Sequence, residues 1–254
     1  MLLDRDARRG RAQEAVQQIS GLTRRYPQSA GLWFLLGVGY LDLKDLEKSE
    51  ADIRRALALD AKTPGAYTVL AEINFAKGSA DKAELNLRAA IKANPRSIVN
   101  YVALESLYES ENHWDEAMRL SERAHQIDPD SPIVANQLAY LYLEHGGDVN
   151  DAVTLARMAK QKMPDSPQAA DTLGWAYYKS GAPESAVLPL RESARKVPNN
   201  ATYQYHLGMA YMAGGHLDSA ERCLRQALED DPKFPDATLA RVALGKISKG
   251  MAVR

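Results

Sequence analysis

Apolar residues recur along this chain at the three-to-four-residue spacing of an amphipathic α-helix, and no useful length of sequence alternates as a strand does. Prolines end the helical stretches at a regular interval. The breaks lie at Pro27, Ala61, Pro95, Pro129, Pro164, Pro198 and Pro232, and are spaced by 34, 34, 34, 35, 34 and 34 residues. The pattern predicts an all-helical chain built from a repeated unit of two helices.

A helix-starting residue follows almost every break. The side-chain oxygen of Ser, Thr or Asn accepts hydrogen bonds from the free N–H groups of a first helical turn. We therefore expect N-caps at Ser29, Thr63, Ser97, Ser131, Ser166 and Asn200, with Phe234 as the exception in the seventh place. Proline suits the first helical position, where it loses no N–H partner, and it follows the cap place at Pro64, Pro132, Pro167 and Pro235.

The same packing residues recur when each repeat is numbered from the residue after its cap. Position 7 is always Leu, position 11 is usually Tyr, and positions 8 and 20 are usually small. Small residues let the two helices of a repeat approach closely, while Leu and Tyr fill the space between repeats. The exceptions are Glu105 at position 8 of the third repeat and Asn74 at position 11 of the second, where we expect looser packing.

Together with an aliphatic residue at position 24, a small one at 27 and Pro at 32, these positions resemble the tetratricopeptide repeat (TPR) pattern. The resemblance implies an all-α fold, a right-handed TPR superhelix (α-solenoid) of stacked antiparallel helix pairs. It covers six repeats, at 30–63, 64–97, 98–131, 132–166, 167–200 and 201–234. A partial repeat at 1–29 precedes them, and a capping helix and tail at 235–254 follow.

A narrower resemblance lies in the C-terminal half. The stretches "NQLAYLYLEHGGDVNDAVTLA" and "ADTLGWAYYKSGAPESAVLPLRESA" are similar to the C-terminal TPR segment of bacterial envelope proteins associated with exopolysaccharide export and exosortase (PEP-CTERM) systems. This resemblance implies a bacterial source and a role in assembly at the cell envelope.

The two ends of the chain depart from the repeat. Residues 11–27 predict the second helix of a seventh repeat, with Ala15 at position 20, and only a shortened first helix can precede it. We therefore expect the chain to be a fragment with an uncapped apolar edge at Leu2, Leu3 and Ile19. Residues 235–249 predict a final helix. We expect it to cover the sixth repeat with Leu239, Val242, Leu244 and Ile247, and to present Arg241, Lys246 and Lys249 to water.

Charge and composition narrow the classes of partner. Lys and Arg number 32 against 33 Asp and Glu, so no overall field favours nucleic acid or an anionic membrane. The local arginines at 5, 8, 9 and 11 favour a solvated helix face over a polyanion site. The most apolar stretch, residues 31–41, is about half the length needed to cross a bilayer. No export-signal pattern opens the chain; we expect the cell envelope if it is a fragment, and the cytoplasm otherwise.

The sequence contains no complete motif of an enzyme, cofactor or metal site. "GVGYLD" at 37–42 lacks the last Gly of a dinucleotide loop, and "GKIS" at 245–248 has Ile247 where a phosphate loop needs Ser or Thr. The five histidines form no HExxH motif and no pair four residues apart, and Cys223 is the only cysteine. A small apolar filler is the expected role of Cys223. We predict no catalysis, no cofactor and no metal.

The resemblance implies that positions 2, 5, 9, 12 and 13 of each first helix line the concave groove. In the last three repeats these positions hold rings, methionines and one amide beside one carboxylate, residue types that anchor a bound chain. The predicted site is Asn136, Tyr140, Asp171, Trp175, Tyr178, Tyr205, Met209 and Met212. The alternative is that Trp175 and Tyr178 thicken the core between repeats. The Lys and Asn of the family's carboxylate clamp are missing.

The predicted function is non-catalytic binding of a peptide or protein segment in the groove, as a scaffold or adaptor. Two alternatives stay open. The chain could assemble with copies of itself through its repeat ends, or it could be the regulatory part of a longer protein whose catalytic domain lies elsewhere.

Overall fold

The structure, a computed structural model, describes the backbone of residues 2–250 and the side-chain surroundings of residues 10–250. Within this range there are fourteen α-helices and no strand, which confirms the all-α prediction. Each predicted repeat contains two helices. The helices are α1 (Leu2–Arg25), α2 (Ala30–Asp42), α3 (Leu46–Leu59), α4 (Ala66–Ala76), α5 (Ala80–Ala93), α6 (Ile98–Ser110), α7 (Trp114–Ile127), α8 (Pro132–His145), α9 (Val149–Lys162), α10 (Pro167–Lys179), α11 (Pro183–Lys196), α12 (Ala201–Ala213), α13 (Leu217–Asp230) and α14 (Ala237–Ser248).

The chain forms two compact units, Met1–His113 and Trp114–Arg254. The N-terminal unit contains α1 to α6, in which α2 packs on α3 and α4 packs on α5. The C-terminal unit contains α7 to α14, with the pairs α8 and α9, α10 and α11, and α12 and α13. The division therefore falls inside the third predicted repeat, between its two helices.

Four of the six predicted N-caps are confirmed. Ser29, Ser131, Ser166 and Asn200 accept hydrogen bonds from the backbone N–H three residues later, at 3.4, 3.5, 3.2 and 3.0 Å. Ser97 lies at the cap place of α6 but makes no side-chain cap bond. Pro132 and Pro167 occupy the first turn of their helices, as expected.

The predicted starts at Thr63 and Pro235 are wrong. Thr63 Oγ1 donates to the Asp60 carbonyl at 2.7 Å, and α4 begins only after Gly65, whose φ is 77°. A residue with positive φ cannot lie inside a helix, so this glycine sets the boundary. At the other end of the chain α14 begins at Ala237, beyond Pro235, because buried Phe234 replaces the polar cap.

Helices within a repeat meet at the predicted small residues. A Cβ atom added at Gly174 would lie against Cγ of Leu190, 2.8 Å from its Cδ2 and 3.1 Å from the Ala186 carbonyl oxygen. Gly37 and Gly208 lie against Ile53 and Leu224 in the same way. These contacts join position 8 to position 24, so the register predicted for the repeats is correct at three of the six.

The two polar exceptions in the packing positions are both buried. Asn74 is 4% exposed, and its Nδ2 donates to the Leu70 carbonyl at 2.7 Å. Glu105 is fully buried, and its burial, aided by the nearby charge of Glu109, raises the pKa of its carboxyl to about 8. Both polar side chains are therefore accommodated in the interior. In the second repeat an open cavity lies against Ala71, Ala83 and Leu87, at packing positions 8, 20 and 24, which is the looser packing that we expected there.

The N-terminal helix differs from the prediction. α1 runs without a break from Leu2 to Arg25, where the sequence predicted a turn between a shortened first helix and a second one. No proline interrupts this stretch, and the one glycine near the expected turn, Gly10, costs a helix only about 1 kcal/mol. Ala15 is exposed because no preceding helix covers it, and Val16 is buried instead. The side chains of Leu2 and Leu3 lie outside the described residues; Ile19 is half-buried.

The C-terminal helix covers the last repeat with a different face from the one expected. Leu244 and Ile247 pack against the core as predicted, and Arg241, Lys246 and Lys249 are exposed. Leu239 and Val242, however, are 54% and 52% exposed. The helical period places Ala237, Ala240 and Ala243 on the buried side with Leu244 and Ile247, which leaves Leu239 and Val242 facing solvent.

The close approach at Gly174 can be tested by overpacking. Gly174→Leu or Ala186→Leu should lower the free energy of unfolding by about 1–3 kcal/mol or more, because the added side chain meets Leu190 or its helix backbone. Thermal unfolding followed by circular dichroism measures the loss. Ala213→Leu, at an exposed site on α12, is the matched control and should melt like the parent. Unchanged melting of both core variants would show that the register is wrong.

Candidate functional site

The predicted site residues lie on α8, α10 and α12, the first helices of the last three repeats. In the structure α10 contacts both α8 and α12. Positions 5, 9 and 12 follow the helical period, so each helix contributes one stripe and the three stripes lie side by side. We call the surface formed by these stripes the first-helix face of the C-terminal unit.

The eight predicted residues divide into an accessible group and a buried group. Tyr140 is 41% exposed, and Asn136, Tyr178 and Met209 are half-buried. The other four are buried in the present structure: Asp171, Trp175, Tyr205 and Met212, with 6%, 4%, 3% and 2% of their surface exposed. A ligand can contact the first group directly, whereas the second group supports it from below.

Trp175 lies at the centre of a stack of rings. Its indole is parallel to the His206 ring at 3.9 Å and 14°, and to the Tyr178 ring at 4.7 Å and 11°. Tyr205 is tilted against the same indole, with a centroid distance of 6.0 Å. The stack joins α10 to α12, so Trp175 packs as a core residue between repeats, the alternative left open by the sequence.

Polar contacts fix the edges of this indole. Trp175 Nε1–H donates to Glu144 Oε1 on α8 at 2.5 Å. Lys179 Nζ lies 5.0 Å from the indole and 3.6 Å from the same Glu144 oxygen. A buried N–H group is costly unless it is hydrogen-bonded, so Glu144 makes the burial of Trp175 possible and also ties α8 to α10.

One ring of the stack, His206, forms a buried pair with Asp171. His206 Nδ1–H donates to Asp171, at 2.9 Å from Oδ2 and 3.1 Å from Oδ1, and the His206 side chain is only 3% exposed. An isolated carboxylate is rarely buried, because it loses its hydration without compensation. The predicted role of Asp171 in fixing a ligand is therefore difficult to realise, since both of its oxygens already face His206.

The C-terminal helix and its preceding loop close this region. Phe234 packs against Tyr205 with the ring centroids 5.7 Å apart. Burial raises the pKa of the Tyr205 hydroxyl, and the nearby Asp236 carboxylate adds to the effect. Burial also raises the pKa of Asp236, which His206 opposes. The carboxylates of Asp236 and Glu144 and the ammonium group of Lys179 thus lie close to the ring stack.

Sequence reasoning missed His206, Glu144 and Phe234 as parts of this region. His206 occupies position 6, outside the set of groove positions, and its partner Asp171 is 35 residues away. Glu144 occupies position 13, which belongs to that set, and was the one of the three that the pattern could have identified. Phe234 was visible only as an exception to the capping rule.

No catalytic chemistry is evident among the described residues. They contain no group of three or more His, Cys, Asp or Glu side chains that could hold a metal ion. Burial raises the pKa of the Cys223 thiol, which is the opposite of what a cysteine nucleophile needs. No helix within residues 2–250 is long and apolar enough to cross a membrane. The absence of an enzyme activity stays a prediction.

Comparison with known families identifies the repeat. One tetratricopeptide repeat family profile matches residues 109–176 and 177–244, and a second matches residues 1–66 and 40–98. The chain belongs to the tetratricopeptide repeat family. The TPR resemblance and the fold class are thereby confirmed, while the individual repeat boundaries and the envelope resemblance stay predictions. No curated protein sequence is significantly similar to this chain.

Several solved structures share the TPR fold at low identity. A chain of the APC/C hetero-tetramer Cut9–Hcn1 matches with a TM-score of 0.70 and 17% identity, over 94% of this chain and 46% of its own length. The TPR chain here therefore spans less than half of that neighbour. PilW, a type IV pilus biogenesis factor, matches with a TM-score of 0.65 and 20% identity, over 84% and 98%. YrrB matches with a TM-score of 0.60 and 15% identity, over 75% and 97%.

The core position of Trp175 leads to a stability test. Trp175→Ala should lower the free energy of unfolding by about 3–5 kcal/mol, because it removes the ring between Tyr178 and His206 and leaves Glu144 without its donor. Leu188→Ala, at an exposed leucine on α11, should change it by no more than about 0.5 kcal/mol. Urea unfolding followed by circular dichroism compares the two, and equal stabilities would contradict the buried position of Trp175.

Proposed function

We propose that the chain is a non-catalytic protein–protein interaction module that binds a peptide or protein segment on the first-helix face of its C-terminal unit. Its role would be that of a scaffold or adaptor, on its own or as the regulatory part of a longer protein. The proposal rests chiefly on one observation: the accessible ring of Tyr178 stacks on the buried indole of Trp175, which stacks in turn on His206.

The accessible residues have the chemistry of a binding surface. Tyr140 offers an exposed ring, while Tyr178 and Met209 offer partly exposed apolar surface. Aromatic rings and methionines contribute much of the contact energy in protein interfaces. The stacking of Tyr178 on Trp175 holds its ring before any ligand arrives, which lowers the entropy cost of binding.

Polar groups are available beside these rings. Asn136 Oδ1 has no hydrogen-bond partner among the described residues, so a rotation of this half-buried amide would let it accept from a peptide N–H. Lys179 and Glu144 lie at the border of the same face. A bound segment would then place apolar side chains on Tyr140 and Met209, and its backbone would be held by Asn136.

Two of the solved neighbours are consistent with this role. YrrB is described as a TPR protein with an unusual peptide-binding site, and PilW as a widely conserved type IV pilus biogenesis factor. At 15% and 20% identity to this chain, these two neighbours support the fold but do not identify a partner. A scaffold in a bacterial envelope assembly is therefore the part of the proposal that depends most on the sequence resemblance.

A second candidate function is self-assembly, and the exposed side of α14 favours it. Leu239 and Val242 are one helical turn apart and more than half exposed, next to exposed Thr238. In a stack of repeats, the face of a terminal helix is the place where a further repeat would pack. A second copy could supply that covering surface.

The peptide-binding proposal can be tested with peptides selected by phage display against the whole chain. Tyr140→Ala and Met209→Ala should each weaken the binding of a selected peptide by about 2 kcal/mol, roughly thirtyfold in affinity, because each removes an accessible anchor residue. Fluorescence anisotropy measures the affinity. Leu188→Ala, an exposed leucine on the second helix α11, is the control and should bind normally. If only Leu188→Ala weakened the binding of the selected peptides, the binding site would lie on the second helices of the repeats.

Self-assembly predicts a concentration-dependent sedimentation coefficient. The parent chain should shift from monomer to dimer as its concentration rises, and Leu239→Glu should remain a monomer because it places a charge in the apolar contact. Leu188→Glu changes a leucine that is also more than half exposed but lies on α11, and it should sediment like the parent. A parent chain that stays monomeric at every concentration would eliminate this candidate.

A further inference from the structure

An open cavity of about 300 Å³ lies in the N-terminal unit, between α4, α5 and α6. Its inner wall is apolar and made of Ala71, Ala83 and Leu87, which are buried at the base of the opening. Glu72 and Phe75 lie at its edge, and Phe75 is 54% exposed. Cavities of this size and lining accept apolar rings.

The corresponding space in the C-terminal unit is filled by the protein's own side chains. Between α10 and α12, Trp175 at position 9 of the fifth repeat stacks on His206 at position 6 of the sixth. Tyr178, at position 12 of the fifth repeat, covers the other side of the indole. Three positions, 9 and 12 of one repeat and 6 of the next, therefore decide whether this joint is closed.

The same three positions leave the joint between α4 and α6 open. Position 9 of the second repeat is Glu72, and position 6 of the third is Ala103, so neither carries a ring. Position 12 is Phe75, which has the aromatic character of Tyr178 but has no indole beneath it. All three residues line the cavity. The cavity thus corresponds to the place that Trp175 occupies in the other unit, with one wall of the ring stack already present.

We propose that this cavity binds an aromatic side chain, above all tryptophan, from a peptide segment of a partner, with the ring stacked on Phe75. The inference rests on the proposed peptide-binding function but concerns a separate surface in the other unit. The inserted ring would bury its faces between Phe75 and the wall formed by Ala71 and Ala103, as Trp175 is buried between Tyr178 and His206.

The charges around the cavity indicate what flanks that aromatic residue. Positions 5, 9 and 12 of α4 and α6 carry two carboxylates, Glu72 and Glu109, and no basic side chain. Glu72 lines the cavity and is exposed. Burial raises the pKa of Glu109, so a cation beside it would restore part of the interaction that its ionised form loses on desolvation. The peptide should therefore carry Lys or Arg next to its tryptophan.

Fluorescein-labelled heptapeptides with a central Lys-Trp-Lys test the proposal by anisotropy with the whole chain. The Lys-Trp-Lys peptide should bind at least tenfold more tightly than matched Lys-Ala-Lys and Glu-Trp-Glu peptides. Phe75→Ala, which changes an exposed side chain and should leave the fold intact, is expected to weaken binding at least tenfold. Leu85→Ala, an exposed residue on α5 outside the cavity lining, is its matched control.

Two more variants test the cavity itself. Ala103→Leu fills the space from its wall and should also weaken binding at least tenfold, while Ala61→Leu, at an exposed loop residue, should not. Glu72→Gln should weaken the Lys-Trp-Lys peptide more than a Ser-Trp-Ser peptide. Equal binding of the tryptophan and alanine peptides, or no effect of Phe75→Ala and Ala103→Leu, would overturn the proposal. Loss of binding in Tyr140→Ala alone would also overturn it, while supporting the site in the C-terminal unit.

Discussion

The structure depends on one packing contact: in three of the repeats the two helices meet where a glycine lies directly against a leucine or isoleucine. At Gly174 there is no room for a Cβ atom, since Leu190 and the Ala186 carbonyl occupy that space. Because this contact fixes the distance and rotation of each helix pair, it also fixes which residues of the first helix point away from the pair. The face available for binding is thus a consequence of packing on the opposite side.

Once that face is set, the side chains at a few positions decide what it does. In the C-terminal unit the rings at positions 6, 9 and 12 stack on one another and fill the joint between α10 and α12. In the N-terminal unit Glu72 and Ala103 take two of these places and a cavity results. In both repeats, the second and the fifth, position 8 is small and position 24 is leucine, so the packing pattern of the repeat accommodates either outcome.

The fold could be predicted because its determinants are local and repeated. Ser29 and Asn200 cap the helices that follow them, and each small residue at position 8 was visible in the sequence alone. The site was harder to predict, because it depends on pairs that are far apart in sequence. Burial of Trp175 requires Glu144, 31 residues before it, and burial of Asp171 requires His206, 35 residues after it. A helical pattern identifies the face on which a residue lies but not whether its neighbour covers it.

The terminal helices also show that the sequence pattern does not predict which residues are buried. Leu239 and Val242 were expected to be buried because they are apolar, yet the alanines of α14 make the contact and the larger residues face solvent. Apolar character alone does not decide which face of a terminal helix is buried. The alanines of α14 permit a close approach to α13, and Leu244 and Ile247, on the same side of the helix, then pack against the core as well. Ala15 is exposed on α1 for the converse reason: it has the residue type of a packing position, but none of the described helices covers it. In a repeat array the burial of a residue depends on whether the neighbouring helix exists, and the pattern within one repeat does not contain that information.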